Sequence, residues 1–223
     1  PYDNLLTVDF ICHGTPSPKV WGMYLDEVVK EVKSISSVEF RNKDKGWKDF
    51  SFNLRFNEGD KTASMLSPYK QNHYMKAFLR DIILRPSCYE CKAKGCSSQS
   101  DITIADFWGV HNIYPEMDDD KGTSLILLNT DNGIDTLDKK QVISAETNFK
   151  RIKSLNPACY LSPKEPSKRD EFFARLDNEN MIELINECTR PTSKQRLYKI
   201  VYDCTLLIYN MLDRVVKVKK SFN

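Results

Sequence analysis

No apolar run in this chain approaches the roughly 18–20 residues that a bilayer-spanning helix needs. Neither charge sign dominates: 33 basic against 31 acidic residues leave a formal charge of +2, which provides no general attraction to nucleic acid. There is no G-x-G-x-x-G and no P-loop, no internal repeat and no low-complexity tract. The start, Pro1-Tyr2-Asp3-Asn4, has no Met and no basic segment ahead of an apolar one, so we expect a fragment without a secretory signal. The seven cysteines are odd in number and unevenly spaced. They do not form a complete disulfide framework, and reduced thiols in the cytoplasm are the expectation.

What is present fits a folded α/β chain of 223 residues, 40% hydrophobic and 29% charged. Such a length can bury a substantial core. Residues 5–12 read as a buried strand, broken by Gly14 and Pro16. Ser17 then stands as an N-cap before Pro18, and Val20, Tyr24, Val28 and Val32 predict a helix to about Lys33. Alternation of Phe50, Phe52, Leu54 and Phe56 marks a half-exposed strand, with a turn at 57–60 and a return strand over 62–66. Residues 73–84 read as a helix stopped by Pro86. Core strands are expected over 101–107 and 123–129, a short helix over 134–140 and a fourth strand over 142–147. The later pattern is helical over 169–176, 181–187 and 195–216. The fold class is therefore α/β: a mixed sheet of about four core strands with flanking helices, an antiparallel hairpin insertion and a helical C-terminal tail.

Chemistry concentrates in a few places. Cys88, Cys91 and Cys96 form C-x2-C-x4-C, and Cys12 ends the first strand. Four thiolates suit either a [4Fe–4S] cluster or a structural zinc, and the spacing also permits unconnected thiols. Cys159, Cys188 and Cys204 read as small buried hydrophobes. The turn Cys12-His13-Gly14-Thr15-Pro16 lies where α/β sheets deliver active loops. Gly14 and Thr15 are candidate cofactor contacts there, and His13 is a candidate catalytic proton donor. Asp106, Trp108 and Gly109 end one core strand and suit a flavin ring or ribose, while Lys121 and Gly122 open the next and suit a pyrophosphate. In a parallel sheet these two groups would lie at opposite ends. The charges of Lys43–Lys48 read as a solvated loop. The last helix, with its basic end at Arg214, Lys217, Lys219 and Lys220, reads as a core or partner helix, with membrane-surface contact as the weaker alternative.

The order of four segments carries a resemblance: Cys12-His-Gly-Thr-Pro-Ser-Pro18, Leu84-Arg-Pro-Ser-Cys-Tyr-Glu-Cys-Lys92, Ser100-Asp-Ile-Thr-Ile-Ala-Asp-Phe-Trp-Gly109 and Lys121-Gly-Thr-Ser-Leu-Ile-Leu-Leu-Asn-Thr130. Over about residues 5–190 the chain resembles the C-terminal domain of the coenzyme F-420 hydrogenase/dehydrogenase beta subunit family. Asn156-Pro-Ala and Lys168-Arg-Asp-Glu-Phe-Phe173 resemble its bacterial branch, found with polysaccharide-synthesis genes. The resemblance implies an oxidoreductase module passing electrons between a [4Fe–4S] cluster at Cys12, Cys88, Cys91 and Cys96 and a flavin, usually FAD. It also implies a small-molecule substrate and a redox partner, either a separate protein or an N-terminal ferredoxin-like domain not seen in this sequence. Coenzyme F-420 itself is not expected in this branch. Archaeal members have Pro-Cys where Pro16-Ser17 stands here, so one ligand is missing from the family pattern. On this view residues 1–165 form the flavin/iron–sulfur domain, with 38–69 inserted, and 166–223 a helical extension. The alternative is a non-enzymatic zinc-binding or metal-free scaffold that docks a partner enzyme.

Overall fold

Three short, largely apolar strands build the sheet that carries most of the motifs. The computed structural model describes residues 4–29, 34–58, 61–95, 99–137, 141–194, 196–202 and 204–205. The chain divides into two units, Pro1–Cys188 and Thr189–Asn223. In the second, the described residues between 193 and 205 are helical. The remainder of the expected terminal helix, with its basic end, lies outside the described residues.

In the first unit, β1 (Val8–Phe10) is followed by α1 (Pro18–Val28), β2 (Ser34–Asn42), β3 (Ser51–Glu58) and β4 (Lys61–Pro68). Then come α2 (His73–Leu79), α3 (Pro86–Tyr89), β5 (Ile102–Asp106), α4 (Val110–Ile113), β6 (Ser124–Leu128) and α5 (Asp131–Thr136). The unit closes with α6 (Phe149–Ile152), α7 (Arg169–Arg175) and α8 (Met181–Cys188).

The fold is α/β, but its strands form two three-stranded sheets, β1-β5-β6 and β2-β3-β4. Residues 142–147 form no strand. Ile143 is 93% exposed there, so no apolar burial offsets the entropy of ordering that segment. The insertion is correspondingly larger than a hairpin, because β2 pairs with β3 beside the expected β3–β4 pair.

In the first sheet β1 runs parallel to β5 and β5 antiparallel to β6. Phe10, Ile104 and Ile126 stand in register on one face. That face is open: Phe10 is 67% and Val8 55% exposed, so β1 is not the buried strand that its apolar run suggests. The other face buries Thr103 and Leu125. Leu125 joins a small core with Phe107, Val110 and Ile152.

The larger core lies under the second sheet. Phe50, Phe52 and Leu54 meet Val20 and Tyr24 of α1, Tyr74, Met75 and Ala77 of α2, and Phe172, Leu176, Leu184 and Ile185 from the α7–α8 region. Burial raises the pKa of the Tyr74 phenol to about 12. Asn72 joins two of these elements. Its Oδ1 accepts from Met75 N–H and caps α2, while its Nδ2 donates to Tyr24 Oη at 2.8 Å. Helix α2 stops at Leu79, short of the expected residue 84. Asp81 adopts φ 63°, which breaks the helix and sends the buried Ile82-Ile83-Leu84 toward the β1–α1 turn. Leu84 forms a bridge with Pro16 there, and Ser17 N–H donates to Ile83 O at 2.7 Å. Ser17 holds the N-cap position without a side-chain cap bond.

Candidate functional site

Strand direction decides which loops meet. The parallel β1–β5 pair puts residues 11–15 beside residues 106–109. The antiparallel β5–β6 pair, with Asp106 opposite Ser124, brings residues 121–123 to the same edge. The opposite-ends arrangement of a parallel sheet does not arise. His13, Gly14, Thr15, Trp108, Gly109, Lys121 and Gly122 sit on loops at one edge of one sheet, with Asp106 at the end of β5 beside them, and their contacts fall into two groups.

The first group faces the α2–α3 segment. His13 Nε2 lies 2.9 Å from Asp81 Oδ1 and 3.4 Å from Phe78 O, and its ring packs on Phe78. A Cβ on Gly14 would come within 2.7 Å of Leu84 Cδ1, so close packing calls for glycine there. Thr15 N–H donates to Cys88 Sγ at 3.2 Å, and Thr15 O accepts from Arg85 N–H.

The second group faces the insertion. Arg41 pairs with Asp106 at 2.6 Å and lies over the rings of Phe50, Trp108 and Trp47. It can reach both because β2 shifts register between Glu39 and Asn42. Bulges redirect neighbouring side chains in this way, and Phe40 turns to the core rings Trp21, Phe52 and Tyr74. Trp47 is buried and packs against Trp108 with the rings tilted and their centroids 4.5 Å apart. Gly122 has φ +100°, and a Cβ there would meet Trp47 at 2.8 Å. Gly109 lies against Leu155. The charges of the Lys43–Lys48 segment are exposed, as read, yet the segment is tied to the 118–121 loop: Lys43 Nζ donates to Lys121 O, Trp47 N–H to Asp120 O, and Lys48 pairs with Asp118. That pairing lowers the Asp118 pKa and raises that of Lys48.

The cysteines take different positions. Cys12 offers its carbonyl to Lys94 Nζ at 2.7 Å, and the same ammonium donates to Ala158 O at 2.8 Å. Gly95 N–H donates to Cys159 O, and Cys91 N–H to Ser162 Oγ. The loop after α3 is thus pinned to residues 158–162 and to the tip of β1. Cys159 and Cys188 are buried as expected, whereas Cys204 is exposed. Cys96 lies outside the described residues. Among the described residues no three His, Cys, Asp or Glu side chains gather as a metal requires. Cys12, Cys88 and Cys91 as described are thus not gathered into such a group by themselves.

Sequence reasoning missed Arg41, Trp47, Asp81 and Lys94, which hold the predicted residues in place. A buried-type aromatic inside a charged loop was the available signal for Trp47. Nothing local marked Asp81 or Lys94, whose partners lie 68 and 82 positions away.

An α/β domain whose motif-bearing loops converge on one sheet edge has the architecture on which ligand- and cofactor-handling sites are built. The family model for the C terminus of the coenzyme F420 hydrogenase/dehydrogenase beta subunit matches residues 1–150. The chain belongs to that family, as a redox-related domain. Comparison with curated proteins and with solved structures returns no match. Among the described residues no helix is long and apolar enough to cross a membrane.

Proposed function

We propose that the domain is an oxidoreductase module that binds a flavin at the edge formed by residues 11–15, 106–109 and 121–123. The observation carrying this reading is the strand pairing that brings those three loops together. Protein side chains already fill the spaces beside Gly14, Gly109 and Gly122, so these glycines serve packing between loops. The groups left accessible are the Trp108 ring, the His13 imidazole and the Lys121 ammonium, 44%, 44% and 85% exposed respectively. An aromatic face, a proton-carrying ring and a cation together suit a flavin dinucleotide. Trp108 would lie against its ring, Lys121 would meet its phosphates and His13 would exchange a proton beside it. A bound flavin supplies both hydride and one-electron chemistry. Arg41 holds Asp106 and braces Trp108, which keeps that aromatic face in place.

The one-electron partner in this reading is a redox protein or ferredoxin-like domain that carries its own iron–sulfur centres. The substrate is a small molecule, and the resemblance to the bacterial branch connects it with polysaccharide synthesis. Protein purified without oxygen should take up about one FAD per chain, with a flavin absorption band, and Trp108→Ala should lose most of that uptake at unchanged circular dichroism. A colourless protein that takes up no FAD at micromolar concentrations would sink the reading. Stoichiometric zinc in its place would support the scaffold alternative.

A further inference from the structure

We propose that Arg169, acting through Tyr89 and the Asp81 turn, is a positioning residue for His13. The inference rests on the reading of His13 as the proton-exchanging group of the site, and it assigns a role to the Lys168-Arg169-Asp-Glu-Phe-Phe173 motif that the site had left unused.

The His13 ring is oriented from one side. Its Nε2 faces two acceptors, Asp81 Oδ1 at 2.9 Å and Phe78 O at 3.4 Å. A nitrogen between two acceptors carries the proton, so the neutral ring keeps its lone pair on Nδ1. Asp81 Oδ1 is buried and has no hydrogen-bond partner, and the His13 ring nitrogen is the polar group that faces it.

Asp81 itself is held in an uncommon conformation. Its φ of 63° is sparsely populated outside glycine and persists where surroundings over-determine it. Here Asp81 N–H donates to Phe78 O, and Asp81 O accepts from Leu84 N–H and from the Tyr89 hydroxyl. Arg169 supports both of those contacts. Its Nε donates to Tyr89 Oη at 3.0 Å and its Nη2 to Leu84 O at 2.9 Å. The guanidinium also lies over the Tyr89 and Phe173 rings, and the side chain is only 11% exposed. A planar fork can make two such bonds at once, whereas a lysine ammonium on its flexible stem cannot reproduce that geometry.

The chain has three histidines, so long-range proton–nitrogen spectra of the imidazole rings test the proposal directly, with His13 identified by its loss in His13→Gln. Wild type should show His13 as a single Nε2–H form. Tyr89→Phe and Arg169→Gln should each shift the His13 ring nitrogens and abolish the single-form pattern, leaving His73, His111 and circular dichroism unchanged. Arg169→Lys should not restore it. Unmoved His13 signals in folded Tyr89→Phe and Arg169→Gln proteins would overturn the proposal. Should Arg169→Gln fail to fold, Tyr89→Phe, which removes one hydroxyl, decides alone. A protein that shows the shifts yet binds no flavin keeps the positioning role and removes the flavin reading.

Discussion

The two sheets of the first unit are held by different physics. The β2-β3-β4 sheet rests on an aromatic core: Phe52 and Leu54 are fully buried against α1, α2 and the α7–α8 region. The β1-β5-β6 sheet leaves Val8, Phe10, Ile104 and Ile126 open on one face. Hydrogen bonds fasten it instead at the end opposite the candidate site. Asp101 accepts from Thr7 N–H and from the hydroxyls of Thr7 and Thr130, and Asn129 Nδ2 donates to Ser100 O and Thr103 Oγ1. Ser100 Oγ donates to Asp9. The insertion is thus the packing centre, and the sheet bearing the motifs is a thin polar-fastened platform. Low local stability is common where ligand-binding elements must adjust.

Four substitutions sharpen or break this contrast. The largest effect should come from Phe52→Ala, which opens a cavity in the aromatic core and should lower unfolding stability by about 3–5 kcal/mol. A loss below about 1 kcal/mol in denaturant titration would show that the insertion is not the packing centre. Thr103→Val should have a smaller effect, about 1–2 kcal/mol, because it removes one of the two acceptors of the Asn129 amide in the thin sheet. An effect as large as that at Phe52 would erase the distinction.

Asp101→Asn tests the polar fastening through pH. Hydrogen bonds from Thr130, then Thr7, pull the Asp101 carboxyl from 3.8 to about 2 in the folded state. A depressed folded pKa contributes stability that is fully present above the unfolded value and is lost as pH falls through the folded one. Melting temperature should therefore drop as pH is lowered from about 4 to about 2, and the variant should show a shallower drop over that window. Parallel curves for the two proteins would remove Asp101 from the fastening. The smallest effect belongs to Phe10→Ser. That side chain is exposed, so the change should stay within about 0.5 kcal/mol in the same titration. A loss of about 2 kcal/mol would mean that the open face is covered in solution.

Much of the secondary structure was legible because it follows local rules. Val20 and Tyr24 at helical spacing, Pro18 at the start of α1 and the alternation through Phe50–Phe56 each declared their element. The misses have physical causes. Residues 142–147 have strand composition but no surface to cover. Residues 80–84 continue a helical pattern, yet Asp81 leaves the helix to meet His13. The 43–48 loop is charged and exposed as read, and what stayed hidden is that its cations find acceptors in the distant 118–121 loop.

The candidate site was legible as a set of residue types: Cys12-His13-Gly14 and Asp106-Phe107-Trp108-Gly109 are unusual enough in order to name a family. Their chemistry is local and is written residue by residue. Strand direction and the Arg41–Asp106 and His13–Asp81 pairs were decided only by the fold. Each depends on partners many residues apart, and such contacts form only when the entropy of closing long loops is offset by packing elsewhere, here in the core beneath Phe52.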